Sequence, residues 1–104
     1  MEEITEKKAK FLRVLSPKLY RFLTSQLEEQ FHIHSYDIQL EGIQEENGIL
    51  VILQYGEGFT HVEEEVFSMD EIEQEGEDLQ DFVQRTGEAC REVMIADYYK
   101  MVKP

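Results

Sequence analysis

Cysteine is almost absent from this chain of 104 residues, which contains Cys90 and no second thiol. A lone cysteine cannot form an internal disulfide, and it cannot supply a four-cysteine zinc or iron–sulfur site. Stability must therefore come from packing of the side chains, of which 41% are hydrophobic. That fraction is typical of a folded domain, and the length fits one domain spanning residues 1–104.

Long apolar runs are missing as well. The longest uninterrupted aliphatic run covers residues 49–53, whereas a helix needs about 20 apolar residues to cross a bilayer. Lysines and arginines interrupt the first 21 residues, so the apolar core of a signal peptide is not present there. We therefore expect a cytoplasmic protein that does not associate with membranes.

Positive charge is missing from the middle of the chain. Residues 22–84 contain seventeen Asp and Glu and no Lys or Arg, and the net charge of the whole chain is −13. Such a segment repels phosphate groups, which disfavours direct binding of nucleic acid or of an anionic membrane. We expect a protein partner with a basic surface, or a second copy of this chain.

Catalytic and metal-binding patterns are also lacking. The sequence has no Gly-x-Ser-x-Gly, no phosphate-binding glycine loop and no His-Glu-x-x-His. His32 and His34 share one side of a predicted strand, but His61 is expected on another face, too far away to share an ion with them. Cys90 lies on the apolar stripe of a predicted helix, which favours a buried thiol. We therefore assign no catalytic residue, no cofactor and no metal ligand, and expect a non-catalytic protein.

Apolar residues at helical spacing predict two helices at the start of the chain. The first is expected over residues 2–15 and the second over 17–30. Ser16 and Pro17 fit the N-cap and first turn of the second helix, because proline lacks an N–H that would have no partner there. A single helix kinked at Pro17 would also fit this pattern.

A long helix is expected at the end of the chain, over residues 69–101 with a break near Gly76. Ser68 and Glu71 have the spacing of a capping box, in which each side chain accepts the backbone N–H of the other residue. An apolar stripe then continues at helical spacing beyond Gly76.

Alternation of apolar and polar residues predicts three strands, at about 33–43, 49–55 and 59–67. Asn47-Gly48 and Glu57-Gly58 are typical of two-residue hairpin turns, which gives a three-stranded antiparallel meander. In this register Gly42 lies opposite Leu53, and Leu53 lies opposite Val62. The predicted fold is therefore α+β, in the order α-α-β-β-β-α, with the helices packed on one face of the sheet.

The other face of this sheet is the candidate interface, because its register combines an apolar strip with surrounding acids. An apolar centre with a charged rim is typical of protein interfaces. The candidate residues are Glu41, Ile43, Glu45, Leu50, Ile52, Glu63 and Glu65.

Three classes of function remain open at this point. The leading hypothesis is a small acidic cytosolic module for protein interaction or regulation, homodimeric or bound to a partner through the second sheet face. The alternative is an immunity-type or DNA-mimic inhibitor, whose carboxylates replace phosphates on a basic nucleic-acid-binding protein. A small enzyme or metal binder is the third. Salt dependence separates the first two, because charge-driven binding weakens steeply with ionic strength.

Overall fold

The computed structural model of the chain describes residues 8–101. These residues form one antiparallel sheet with the strand order β1-β2-β3-β4. The strands are β1 (Lys10–Phe11), β2 (Ile38–Gln44), β3 (Gly48–Tyr55) and β4 (His61–Ser68). The helices are α1 (Leu12–Leu15), α2 (Pro17–Phe31), α3 (Met69–Gln74) and α4 (Glu77–Met101). The predicted α+β class is confirmed, but the sheet has four strands rather than three.

The additional strand, β1, lies where a helix was expected. Of the predicted helix over 2–15, residues 2–7 lie outside the described part of the chain. Lys10 and Phe11 pair with Gly42 and Glu41 of β2, and only one helical turn, α1, follows them. Pairing with β1 satisfies backbone groups along the outer edge of β2, which would otherwise be exposed.

Helix α2 is a separate helix and not the continuation of a kinked one. Ser16 has an extended backbone (φ −150°, ψ 90°) that separates α1 from α2. Its hydroxyl accepts the N–H of Leu19 at 3.3 Å, and Pro17 occupies the first turn. The buried face of α2 consists of Leu19, Leu23 and Leu27. This helix ends at His32, whose left-handed backbone (φ 58°) terminates the hydrogen-bonding pattern.

The hydrophobic core lies on one face of the sheet. On β3, Ile49, Val51, Leu53 and Tyr55 are buried, whereas the residues between them are only half-buried. Leucines of α2 and residues Leu79, Phe82 and Val83 of α4 complete this core. Phe67 of β4 meets Phe82 edge to face, with 5.4 Å between ring centroids.

The connection between β2 and β3 differs from the predicted Asn47-Gly48 turn. Neither residue has a positive φ, which such a turn requires. Gly48 instead begins β3, where a Cβ atom would collide with the carbonyl oxygen of Phe67. Gly42 consequently pairs with Val51 rather than Leu53. Because this shift is two residues, the side chains of β2 and β3 keep their predicted faces.

The connection between β3 and β4 also differs, and here the faces change. Five residues, 56–60, separate Tyr55 from its partner His61, whereas a two-residue Glu57-Gly58 turn was predicted. Within this loop Phe59 adopts a left-handed backbone (φ 54°). Leu53 therefore pairs with Glu63 rather than Val62. This shift of one residue turns every side chain of β4 to the opposite face.

The break near Gly76 depends on a carboxylate. Ser68 accepts the N–H of Glu71 at 3.1 Å, as in a capping box, but the Glu71 carboxylate accepts the N–H of Leu79 at 3.1 Å instead of returning to Ser68. A Cβ atom at Gly76 would lie 2.7 Å from that carboxylate. Glycine thus makes room for the group that caps α4.

None of the helices within residues 8–101 is both long and apolar enough to cross a bilayer. The longest, α4, carries charged residues along its whole length.

The contact between α2 and α4 gives a first testable prediction. A Cβ atom at Gly87 would overlap the ring of Phe31, so Gly87→Ala should lower the free energy of unfolding by about 1–3 kcal/mol through overpacking. Replacing glycine by alanine inside a helix normally stabilises by up to about 1 kcal/mol, so the sign of the change in the free energy of unfolding distinguishes the two effects. Urea unfolding measures this change. The destabilisation by Gly87→Ala should be smaller in a protein that also carries Phe31→Leu. A stabilising Gly87→Ala would contradict this packing.

Candidate protein interface on the open sheet face

The face of the sheet opposite the core is formed by three cross-strand rows. We call it the open face, and its residues are Phe11, Glu41, Ile52 and Glu64 in the central row, Ile43, Leu50 and Val66 on one side, and Gln39, Gln54 and Val62 on the other. Six of these ten residues are apolar. Apolar residues of the open face therefore occur on all four strands, with Glu41 between Phe11 and Ile52 in the central row.

The apolar side chains of the open face remain accessible in the described chain. Ile43, Leu50 and Ile52 are half-buried, although they lie on central strands. Val62 and Val66, on the edge strand β4, are 46% and 57% exposed. An aliphatic side chain stabilises by about 1.5–3 kcal/mol when it is fully buried, and these residues forgo part of that gain.

Four of the predicted interface residues are adjacent on the open face. Glu41 lies opposite Ile52, and Ile43 lies opposite Leu50. Glu45, by contrast, lies in the turn beyond the end of β2, where its N–H donates to the carbonyl of Gly48 at 2.8 Å.

The predicted position of Glu63 and Glu65 on this face is wrong, because the five-residue loop before β4 reverses the faces of that strand. Both carboxylates lie on the core side of the sheet edge. Arg85 of α4 approaches Glu65 at 3.1 Å and Glu63 at 3.9 Å. Glu63 also accepts the hydroxyl of Tyr55 at 3.1 Å. These acids connect α4 to the sheet.

Four residues of the open face were predicted to lie on another face or in another element, and these are Phe11, Val62, Glu64 and Val66. Phe11 was hidden because it fits the apolar stripe of the predicted first helix. The other three follow from the length of the loop before β4. The two glycines at 56 and 58, which both have positive φ, were the available signal for a longer loop.

Charge is distributed unequally across the open face. Next to β1, Lys8 is exposed, and the Arg13 guanidinium lies 5.1 Å from the centre of the Phe11 ring. Lys10 is also exposed, but it alternates with Phe11 and so lies on the opposite face of β1. On β4, at the other edge, Glu64 is exposed. One edge of the sheet is therefore basic, the other is acidic, and the centre is apolar apart from Glu41 and two glutamines.

The three histidines are placed separately. His32 terminates α2, and His34 stacks on Tyr36 and approaches Glu28 at 3.6 Å. His61 stacks on Tyr55 with 5.3 Å between ring centroids. Residues 8–101 contain no group of three His, Cys, Asp or Glu arranged to hold a metal ion.

The thiol of Cys90 is buried in the core, 3.7 Å from the sulfur of Met94. Burial, with a contribution from the charge of Asp37, raises the pKa of this thiol to about 11. A nucleophilic cysteine needs an accessible thiolate, and this environment disfavours one.

Comparisons of the chain with protein-family models, curated proteins and solved structures give no match.

The raised pKa values of two buried groups, the Tyr55 hydroxyl and the Cys90 thiol, give a prediction for the stability of the protein at alkaline pH. Burial and the hydrogen bond to Glu63 raise the pKa of Tyr55 from 10.0 to about 12, and the pKa of Cys90 rises from 9.0 to about 11. The folded state thus holds both protons more tightly than the unfolded chain. The contribution of these two protons to stability is complete below the pKa values of the unfolded chain. It is lost as the pH rises through the pKa values of the folded state.

Urea unfolding between about pH 8 and pH 11 measures this effect. We expect the free energy of unfolding to fall above about pH 9, and the fall to be smaller in Tyr55→Phe and Cys90→Ala. Equal slopes in the wild type and both variants would show that other groups control alkaline unfolding.

Proposed function

We propose that this chain is a non-catalytic protein-interaction module of the cytoplasm that pairs with a second copy of itself through the open face. The observation that carries the proposal is the presence of apolar residues on the open face of all four strands, with half-buried Leu50 and Ile52 in their middle. Two such faces packed against each other would form a β-sandwich of the aligned type, with a second apolar core between the two sheets.

The charge at the two edges supports a second copy as the occupant. Face-to-face packing with a twofold axis parallel to the strands lays β1 of each copy over β4 of the other. The Arg13 guanidinium, which lies beside Phe11, would then face Glu64 of the partner copy twice in the dimer. A twofold axis across the strands would instead oppose basic edge to basic edge and acidic edge to acidic edge. Electrostatics therefore selects the first arrangement.

The self-complementary edges also explain how a chain of net charge −13 can associate with itself. The acids of α3 and the first turn of α4 lie beyond the acidic edge or on the core side of the sheet, so repulsion between the two copies acts over longer distances. Salt screens long-range repulsion more effectively than contacts within an interface. The apolar centre supplies the attraction and the edges fix the orientation.

The first test is a set of charge insertions in the centre of the open face. Leu50→Glu would place a carboxylate between two apolar surfaces, and Ile52→Glu would add one between Glu41 and Glu64. Val66→Lys would place a cation against the basic β1 edge of the partner copy. We expect each to weaken dimerisation at least about tenfold, because burying an unpaired charge costs more than 1.4 kcal/mol. Sedimentation equilibrium measures the association, and circular dichroism with thermal melts confirms that each variant is folded.

Ile95→Glu is the matched control, because Ile95 is an exposed aliphatic residue on α4, which packs on the core face. Its association should equal that of the wild type. Val66 is 57% exposed, so Val66→Lys should fold even where Leu50→Glu does not. A wild-type protein that stays monomeric at about 100 μM, or a folded Val66→Lys that dimerises normally, would contradict the proposal.

A second candidate function is favoured by the exposed acids of α3 and the start of α4. Asp70, Glu73, Glu77, Asp78 and Asp81 are all exposed, and residues 69–81 contain no cation. Such a surface suits a basic, nucleic-acid-binding partner, whose site the carboxylates would occupy in place of phosphates. This binding would weaken steeply between about 50 and 500 mM salt, whereas the proposed dimer would persist.

A further inference from the structure

A groove at the end of the molecule brings together aromatic side chains from three separate segments. Tyr36 comes from the turn before β2, Phe59 from the loop after β3, and Tyr98 from the last turns of α4. These rings, with Met94, line a groove of about 400 Å³ that we call the aromatic groove. It lies on the helix-covered side of the molecule and contains no residue of the open face.

The three rings are accessible although each is large and apolar. Tyr36 is 77% exposed, Tyr98 is 61% exposed and Phe59 is 38% exposed. Packing in the core therefore does not account for their positions. Phe59 also has a left-handed backbone, which is an outlier for a bulky residue, and its N–H donates to the carbonyl of Gly56 at 2.9 Å.

The charge of the aromatic groove is negative. Asp37 and Asp97 line it, and none of its lining residues is a lysine, arginine or histidine. One oxygen of Asp37 accepts the N–H of His34 at 2.9 Å, which orients that carboxylate. Asp97 is half-buried and has neither a hydrogen bond nor an ion pair within the described residues.

We propose that the aromatic groove binds an organic cation, with a trimethylammonium group held against Tyr36, Phe59 and Tyr98 and compensated by Asp37 and Asp97. The faces of aromatic rings carry negative charge density and attract weakly hydrated cations. The two carboxylates add attraction at longer range and disfavour anionic ligands. A volume of about 400 Å³ is within the range of small-molecule sites.

An adjoining groove, which shares Met94 and Tyr98 with the aromatic groove, serves as an internal comparison. It has a similar volume, about 400 Å³, and is also aromatic, with Phe31, Tyr98 and Tyr99 among its lining residues. Arg91 and His32 line it, however, and it has no carboxylate. Its charge disfavours a cation, so the two grooves should differ in the ligands they bind.

The test uses choline and its uncharged analogue 3,3-dimethyl-1-butanol, which has the same shape. Titrations are followed by the aromatic NMR signals of Tyr36, Phe59 and Tyr98. We expect choline to bind with a dissociation constant of about 1 mM, and the uncharged analogue to bind at least about fivefold more weakly. A neutral peptide with one trimethyllysine presents the same group from a protein source. Tighter binding of that peptide than of choline would assign the source, and the reverse would assign a free ligand.

Variants locate the site without disturbing the core. Tyr36→Leu and Tyr98→Leu keep an apolar side chain but remove the ring, and each should weaken choline binding roughly two- to fivefold. Asp97→Asn should weaken it and reduce its dependence on salt. Tyr99→Leu is the matched control, because Tyr99 lines the comparison groove but not the aromatic groove.

Equal binding of choline and the uncharged analogue would overturn the proposal, since it would leave only a hydrophobic contact. Absence of binding by both choline and the peptide up to about 20 mM would also overturn it. So would an equal loss in Tyr99→Leu and Tyr98→Leu. These results are independent of dimerisation, which Val66→Lys tests on the other side of the sheet.

Discussion

Burial of one side of β3 is the constraint on which the rest of the structure depends. Four alternate residues of this strand are buried in the core, namely Ile49, Val51, Leu53 and Tyr55. Because successive side chains of a strand point to opposite faces, Leu50 and Ile52 must then lie on the other face of the sheet. Helices α2 and α4 supply the apolar surfaces that cover the first set. The same alternation that builds the core thus creates the open face.

The connections on either side of β3 determine what accompanies Leu50 and Ile52. The turn before β3 leaves each side chain of β2 on its predicted face, which keeps Glu41 and Ile43 beside them. The five-residue loop after β3 turns the side chains of β4 to the opposite faces. Val62 and Val66 therefore lie on the open face, and Glu63 and Glu65 lie on the core side. The result is a more apolar open face than the predicted register gives, and two carboxylates that are available for Arg85.

Features set by local chemistry could be predicted from the sequence. The start of α2 follows from Ser16 and Pro17, and the interruption near Gly76 follows from the glycine and the acids around it. Strand β1 could not be predicted, because two residues contain no periodicity and its pairing partner lies some thirty residues away in the sequence. The backbone of Phe59 could not be predicted either, since a left-handed conformation is uncommon for a bulky residue.

The candidate interface was predictable to the extent that it depends on β2 and β3. The side chains of both strands have their predicted faces, which brings together Glu41, Ile43, Leu50 and Ile52. The positions on β4 required the length of a loop, which glycine content alone does not determine. The aromatic groove was beyond sequence reasoning, because its rings come from three segments that only the fold brings together.

Intermolecular contacts between methyl groups test the central claim most directly. In a sample that mixes isotope-labelled and unlabelled chains, isotope-filtered NMR detects only contacts between two copies. We expect such contacts among the methyl groups of Ile43, Leu50, Ile52, Val62 and Val66, and between the Phe11 ring of one copy and β4 of the other. Contacts confined to α4, or no intermolecular contact at concentrations where a dimer is observed, would contradict it.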